Sequence, residues 1–368
     1  MISAQRHQSR ESPPPFPHSK RLEHSMPDQR LQTPVCSLLG CDVPILSAGM
    51  GGVARSELVA AVAQAGGYGI LGMVREAPSF IAQEIKAVRA RTARGFAVNL
   101  IPAATDPDLL DAELRICFEL DVPAMCFFWD VVPSAVARAK AAGCLVLHQV
   151  GSVAAALAAE AAGADVLIVQ GVEAGGHVHG TAGALVLVEQ VVRQVNLPVI
   201  ASGGFATGAS LVAALALGAQ GIHCGTAFLA TTESFAHAQH KARVLDAVAE
   251  DTVHTDIYAL NWPPNTPVRV LRNSVIAALG PNLMGHRPEL MPREVIANED
   301  GRPLPRYSTD SPLRTTTGDL EAMALYAGHS TSLIDTLPSA AGRIDSIMEE
   351  ARIALTRIAA MTNGVGAL

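Results

Sequence analysis

From residue 34 onward, short runs of β-branched residues and Leu alternate with Ala-rich stretches whose apolar positions recur at helical spacing. The runs predict strands at Pro44–Ala48, Tyr68–Leu71, Phe96–Leu100, Ala124–Phe127, Cys144–His148, Val166–Val169, Pro198–Ala201 and Gly221–Cys224. Helices are expected between them, near 56–65, 78–91, 107–119, 133–142, 152–162, 183–195 and 207–217. Ser56, Ser79, Ser152 and Thr207 stand where N-caps belong. The strands are apolar on both faces, as in a parallel sheet covered on both sides. Eight such units in so short a stretch point to an α/β fold, a closed (β/α)8 TIM barrel, with an open doubly wound sheet as the alternative.

Two regions break the rhythm. Residues 1–33 hold Pro13, Pro14, Pro15 and Pro17 among polar residues and read as a disordered N-terminal extension. Met26 before Pro27 offers a later start, and a cleaved or tethering tail is the other reading. Residues 232–320 contain Trp262-Pro263-Pro264, a second Pro-rich segment near 303–312 and mixed helical pieces. This segment is expected to be an insertion after the eighth strand that covers the barrel mouth as a lid. Residues 34–231 and 321–368 would then form the barrel, closed by an amphipathic helix near 338–361.

Composition narrows the function. A chain of 368 residues that is 49% hydrophobic supports a large core. No apolar run approaches the roughly 18 residues of a membrane span. A net charge of −7 argues against a nucleic-acid partner. The six cysteines (Cys36, Cys41, Cys117, Cys126, Cys144 and Cys224) form no CxxC pair and sit in apolar runs, so buried thiols in a reducing cytoplasm are expected, with no metal site. Ala-rich outer helices would permit a homodimer.

In a barrel the chemistry belongs at the C-terminal strand ends. The seventh strand runs into Ser202-Gly203-Gly204 and the eighth into His223-Cys224-Gly225-Thr226. Glycine backbone and a helix N-terminus suit a phosphate there, and Thr226 adds a hydroxyl; ordinary tight turns are the plainer reading. The sixth strand runs into Gln170-Gly171-Val172-Glu173-Ala174-Gly175-Gly176-His177. Its glycines let the loop lie beside a planar ligand and hold His177 over the barrel axis, as a general base or only as a loop hydrogen-bonder. His179 is expected to point outward. Asn99 and Gln149 offer carboxamides to a ring edge or serve local turns. In Ala48-Gly49-Met50, the Met packs on a ring face or fills core.

Taken together these residues resemble the nitronate monooxygenase family, formerly called 2-nitropropane dioxygenases. The resemblance runs from about residue 34 to 360. It rests on Pro44–Gly52 (PILSAGMGG), Ala65–Gly69 (AGGYG), Asn99, the segment QGVEAGGH at 170–177, Ser202-Gly203-Gly204 and Gly225-Thr226-Ala227-Phe228-Leu229. Thr232-Glu233-Ser234, Lys241 and Tyr326-Ala327-Gly328-His329 add to it. It implies an FMN-dependent barrel that oxidises nitronates or nitroalkanes with O2 to a carbonyl compound and nitrite. By the same resemblance Gln170 and Gly175 touch the flavin, and Asn99 contacts its ring. Gly203, Gly204 and the His223–Thr226 turn hold its phosphate, and His177 is the catalytic base. Three departures bear on substrate, one of them His223 in strand eight, where members more often have a plainer polar residue. Members often have Ala-Pro-Met where this chain has Ala48-Gly49-Met50. Phe127-Phe128-Trp129-Asp130 after strand four suggests a bulky apolar wall. Rival readings are an NAD(P)H-dependent flavin reductase of the enoyl-acyl-carrier-protein or quinone type, a non-catalytic FMN-binding protein, and a flavin-free phosphate-binding isomerase.

Overall fold

The computed structural model describes residues 31–263 and 266–363. Within them eight parallel strands form one sheet: Ile45–Ser47, Gly69–Gly72, Phe96–Leu100, Ala124–Phe127, Leu145–Val150, Val166–Gln170, Val199–Ser202 and Ile222–Cys224. Each pairs with its sequence neighbour in parallel register, and the last pairs with the first through Ile45 and Ile222. A parallel bridge between Leu46 and Tyr68 joins the first strand to the second and completes the ring. The expected strands fall within two residues of these bounds. The predicted disordered extension lies mostly outside the described residues; from Pro34 the chain is helical, as far as Leu39.

Period-2 alternation divides the strand residues between two cores. Leu46, Ile70, Ala97, Cys126, Leu147, Ile168 and Ile200 fill the barrel, and Val35, Cys36 and Leu39 of the first helix plug its lower end. Ile45, Leu71, Val98, Met125, Val146, Leu167 and Ile222 face outward against the helices. All six cysteines are buried free thiols.

Helices follow the strands at Ser56–Gln64, Pro78–Arg91, Pro107–Glu119, Pro133–Ala141, Val153–Ala162, Ala184–Val192 and Gly208–Ala216. Ser152 and Thr207 cap theirs, accepting from the N–H of Ala155 (3.1 Å) and Ser210 (3.2 Å). Ser56 and Ser79 do not cap. Arg55 and Ala77 occupy those positions, and the Ser56 N–H goes instead to the Glu84 carboxylate at 2.7 Å. The last helix, Ala340–Asn363, packs on Gly208–Ala216. Its backbone comes so close that a Cβ on Gly208 would meet Ile347 O at 2.3 Å.

The chain between the eighth strand and the last helix carries short helices at Ala238–Asp246 and Ser274–Leu279 and, beside them, two small sheets. Thr252–Thr255 and Val268–Leu271 form an antiparallel pair that takes in Gly176–His177 as a third strand. Val295–Glu299 pairs with Arg302–Pro305 and Thr317–Gly318 in a second small sheet. The prolines near 303 sit on the edge strand of that sheet, where a missing N–H costs no ladder bond. No described helix is long and apolar enough to cross a membrane.

Candidate active site

The strand ends open into a cavity of about 740 Å³. Asn99, Gln149, Gln170, Ser202 and His223 point into it from their strands, almost wholly buried from bulk solvent. Asn99 Nδ2 donates to Cys126 O at 3.0 Å, which leaves its carbonyl for the cavity. Gln170 Nε2 donates to His177 O at 3.0 Å, and its Oε1 is buried without a partner. Ser202 Oγ lies 2.9 Å from His223 Nδ1, while His223 Nε2 has no partner. Burial holds His223 down to about 4, so the ring is neutral. Ala48, Gly49 and Met50 form the wall beside Asn99. Cys224 stands apart from the other expected site residues. Alternation turns its side chain into the outer core, away from the cavity, and only its neighbours His223, Gly225 and Thr226 line it.

At one end two turns suit an anion. Gly203 and Gly204 have φ of +91° and +84°, a backbone closed to ordinary side chains. They precede the helix capped by Thr207. Gly225 opens the short helix Thr226–Leu229. Thr226 Oγ1 accepts the Gly328 N–H at 3.0 Å, so the hydroxyl proton remains free to donate.

At the other end stands His177, held by its backbone pairing to Val268. Gly175 is pressed against the 327–328 peptide, where a Cβ would meet Ala327 C at 2.5 Å, and Gly176 has φ +74°. The imidazole lies among aromatic rings: Trp262 at 4.4 Å, Tyr326 at 6.0 Å and Trp129 edge-on at 6.2 Å. Its Nε2 is buried and unpartnered. Burial, with Arg75 nearby, holds it down to about 3, so it is a neutral base throughout the working pH range. His179 turns aside, its Nε2 3.2 Å from Asp130 and its ring against Trp129. The expected apolar wall is present: Phe128 and Trp129 pack with Ile101, Val74 and Trp262.

Trp262, Tyr326 and Arg75 were not singled out from the sequence as site residues. The signal available was that the chain has only two tryptophans. Glu173 was also missed. Both its carboxylate oxygens accept the Ala184 N–H, at 3.0 and 2.9 Å, at the start of a helix. Glu233 does the same for Ala340. Lys241 Nζ donates to Thr231 O and Ser234 O, both at 2.7 Å. Glu233 and Lys241 therefore brace the chain around 231–234 and 340 and are not among the residues lining the cavity.

The cavity can be tested as a flavin site on its own atoms. The orphaned Gln170 Oε1 and His223 Nε2, the free Asn99 carbonyl and the glycine turns form a mixed donor and acceptor lining around space for a ring and a phosphate. These residues fit such a group.

Fold and lining together define a TIM barrel with a strand-end cavity that fits a flavin. The nitronate monooxygenase family model matches residues 32–350, and the chain belongs to that family of enzymes. Among its relatives is (3aS,4S,5R,7aS)-5-hydroxy-7a-methyl-1-oxo-octahydro-1H-indene-4-carboxyl-CoA dehydrogenase of Mycobacterium tuberculosis, 32% identical over 88% of this chain and 96% of that one. The structure of FabK from Thermotoga maritima is similar with a TM-score of 0.76 at 31% identity, covering 90% of this chain and 99% of that one. Nitroalkane oxidase from Streptomyces ansochromogenes has a TM-score of 0.73 at 31% identity, covering 88% and 99%.

Proposed function

We propose that the protein is an FMN-dependent enzyme that oxidises nitronates or nitroalkanes with O2 to a carbonyl compound and nitrite. The observation that carries this reading is a neutral, unpartnered imidazole, His177, set at the edge of a cavity that fits a planar ring and a phosphate. FMN would supply the redox chemistry between substrate and O2. Asn99, Gln149 and Gln170 would meet the ring edge, Met50 its face, and Gly203, Gly204, Gly225 and Thr226 the phosphate. His177 takes the α-proton of a neutral nitroalkane, a step that a protonated ring cannot perform. The aromatic wall of Phe128, Trp129 and Trp262 excludes water and favours an apolar substituent. Residues 232–320 act as the lid, and Asn261, Trp262, Thr309 and Leu313 from that segment line the cavity. A cytoplasmic enzyme, and a homodimer through the outer helices, complete the reading.

A second reading, a dehydrogenase or an NAD(P)H-dependent reductase, is favoured by the mycobacterial relative, which is named as a carboxyl-CoA dehydrogenase and is covered over 96% of its length. Anaerobic addition of NADH and of a nitronate to the purified yellow protein separates the two. Bleaching of the flavin band by nitronate alone supports the monooxygenase. Rapid bleaching by NADH, with none by nitronate, transfers the assignment to the reductase.

A further inference from the structure

We infer that Trp262, clamped by Arg75, is a positioning residue that fixes the plane of the His177 ring and keeps water from it. The inference rests on His177 being the base and adds what holds it in working order. The indole and imidazole centroids are 4.4 Å apart with the planes tilted 34° from parallel, so the indole packs obliquely over the imidazole. The Arg75 guanidinium lies 4.4 Å from the centroid of the same indole.

Arg75 is itself locked. Its Nε donates to Ala104 O at 2.9 Å, Nη2 reaches the same carbonyl, and Nη1 donates to Asn261 O, one residue before Trp262. Its backbone has φ +60°, a left-handed conformation that a non-glycine residue holds only when its surroundings demand it. Asn261 Oδ1 accepts from Thr309 N (2.8 Å) and Thr309 Oγ1 (2.9 Å). Thr309 O in turn takes the Tyr326 hydroxyl at 2.7 Å. A belt of side chains thus runs from the loop after strand two, through the 261–262 segment, to the residues before the last helix. It closes around one imidazole whose buried Nε2 has no partner among the described residues. Packing against the indole is what orients the ring.

The groups facing His177 are few. Arg75 comes from the loop after strand two and Tyr326 from the chain before the last helix. The His179–Asp130 pair lies behind Trp129 on the strand-four side. Arg75 repels an imidazolium, and the aromatic box denies it water; the Tyr326 phenol is committed to Thr309 and adds no charge. Removing the indole should therefore let the ring both tilt and take up a proton.

The test follows the ring itself as well as turnover. In purified full-length protein labelled with ¹⁵N-histidine, the His177 signal is identified by its loss in His177→Gln. In the parent it should not titrate between pH 8 and 5, and kcat/KM for a neutral nitroalkane should stay flat on the acid side. In Trp262→Leu the signal should titrate between pH 5 and 6.5, with an acid limb in kcat/KM at the same pH. The drop at pH 5 should follow the titration, about twofold for a ring titrating at 5 and about thirtyfold for one at 6.5, and should fall in kcat with little change in KM. Trp262→Phe should restore the parental profile, and Arg75→Met should move the titration in the same direction by less, giving a second route if Trp262→Leu does not fold. A Trp262→Leu signal and pH profile identical to the parent would overturn the clamp. If His177→Gln turns over normally while the Trp262→Leu signal still shifts, the base assignment falls and the clamp stands.

Discussion

Gly49 faces Asn99 so closely that a Cβ placed on it would stand 2.4 Å from the Asn99 Cβ. Asn99 cannot retreat, because its Nδ2 is tied to Cys126 O on the next strand, and Ile70 blocks the third side at 3.0 Å. The first strand end and the carboxamide on the third are therefore a fitted pair. This is the physical setting of glycine at position 49. We expect Gly49→Ala to displace the Asn99 side chain and to weaken flavin retention about tenfold. Overpacking of this kind costs roughly 1–3 kcal/mol. Flavin content after gel filtration and the thermal midpoint check it; unchanged retention would show that Asn99 is not a ring contact.

Glu173 sits in the middle of the glycine-rich segment, yet its carboxylate faces away from the chemistry, onto the N–H of Ala184. Its carbonyl also accepts His329 N at 2.9 Å. Glu173→Ala should cost about 1–2 kcal/mol in urea unfolding, the value of a lost helix N-terminal cap. Turnover per bound flavin should change little. A large loss of turnover with stability unchanged would place Glu173 in the reaction instead.

Burial depresses several histidines. His148, His223 and His240 are each held down to about 4. In the unfolded chain such a group takes its proton near 6.5. Between those pH values the unfolded state binds more protons than the folded state, so stability is lost as pH falls. From pH 7 to pH 5 the loss is about 2 kcal/mol for one such histidine. His223→Gln should remove about 2 kcal/mol of the fall in unfolding free energy over this interval, read from urea unfolding at each pH. An equally steep fall in the variant would mean that His223 is already charged in the folded protein.

The barrel was legible because its strands are short apolar runs bounded by Gly and Pro, and because both faces are buried. The strand-end residues followed from the strand bounds; His223 and Cys224 were both expected at the site, and side-chain alternation separates them. The structure places the first in the cavity and the second behind it. What the pattern could not show is contact between distant segments. The Ser56 N–H is claimed by Glu84 of another helix, so a good capping residue does not cap. Gly176–His177 becomes a strand only because Val268–Leu271 arrives to pair with it. Trp262, Tyr326 and Arg75 meet at His177 from three separate segments, and no local spacing encodes that meeting.

Thr226 offers a test of the proposed phosphate end that does not depend on turnover. Its Oγ1 accepts the buried Gly328 N–H at 3.0 Å, and its proton is left for a ligand at the Gly203–Gly204 turn. Thr226→Val removes both. Leaving the Gly328 N–H without an acceptor costs about 1–3 kcal/mol of stability whatever the ligand. The loss of a donor to phosphate, by contrast, falls only on a phosphorylated flavin. Riboflavin carries the same ring without the phosphate, so the ratio of FMN to riboflavin affinity isolates the second effect. Thr226→Val should lower that ratio about tenfold, as expected for one charge-assisted hydrogen bond of roughly 1.5 kcal/mol. Thr226→Ser should preserve it. Equilibrium titration of both flavins, followed by quenching of their fluorescence, gives the ratio directly. An unchanged ratio in Thr226→Val would move the phosphate away from this turn.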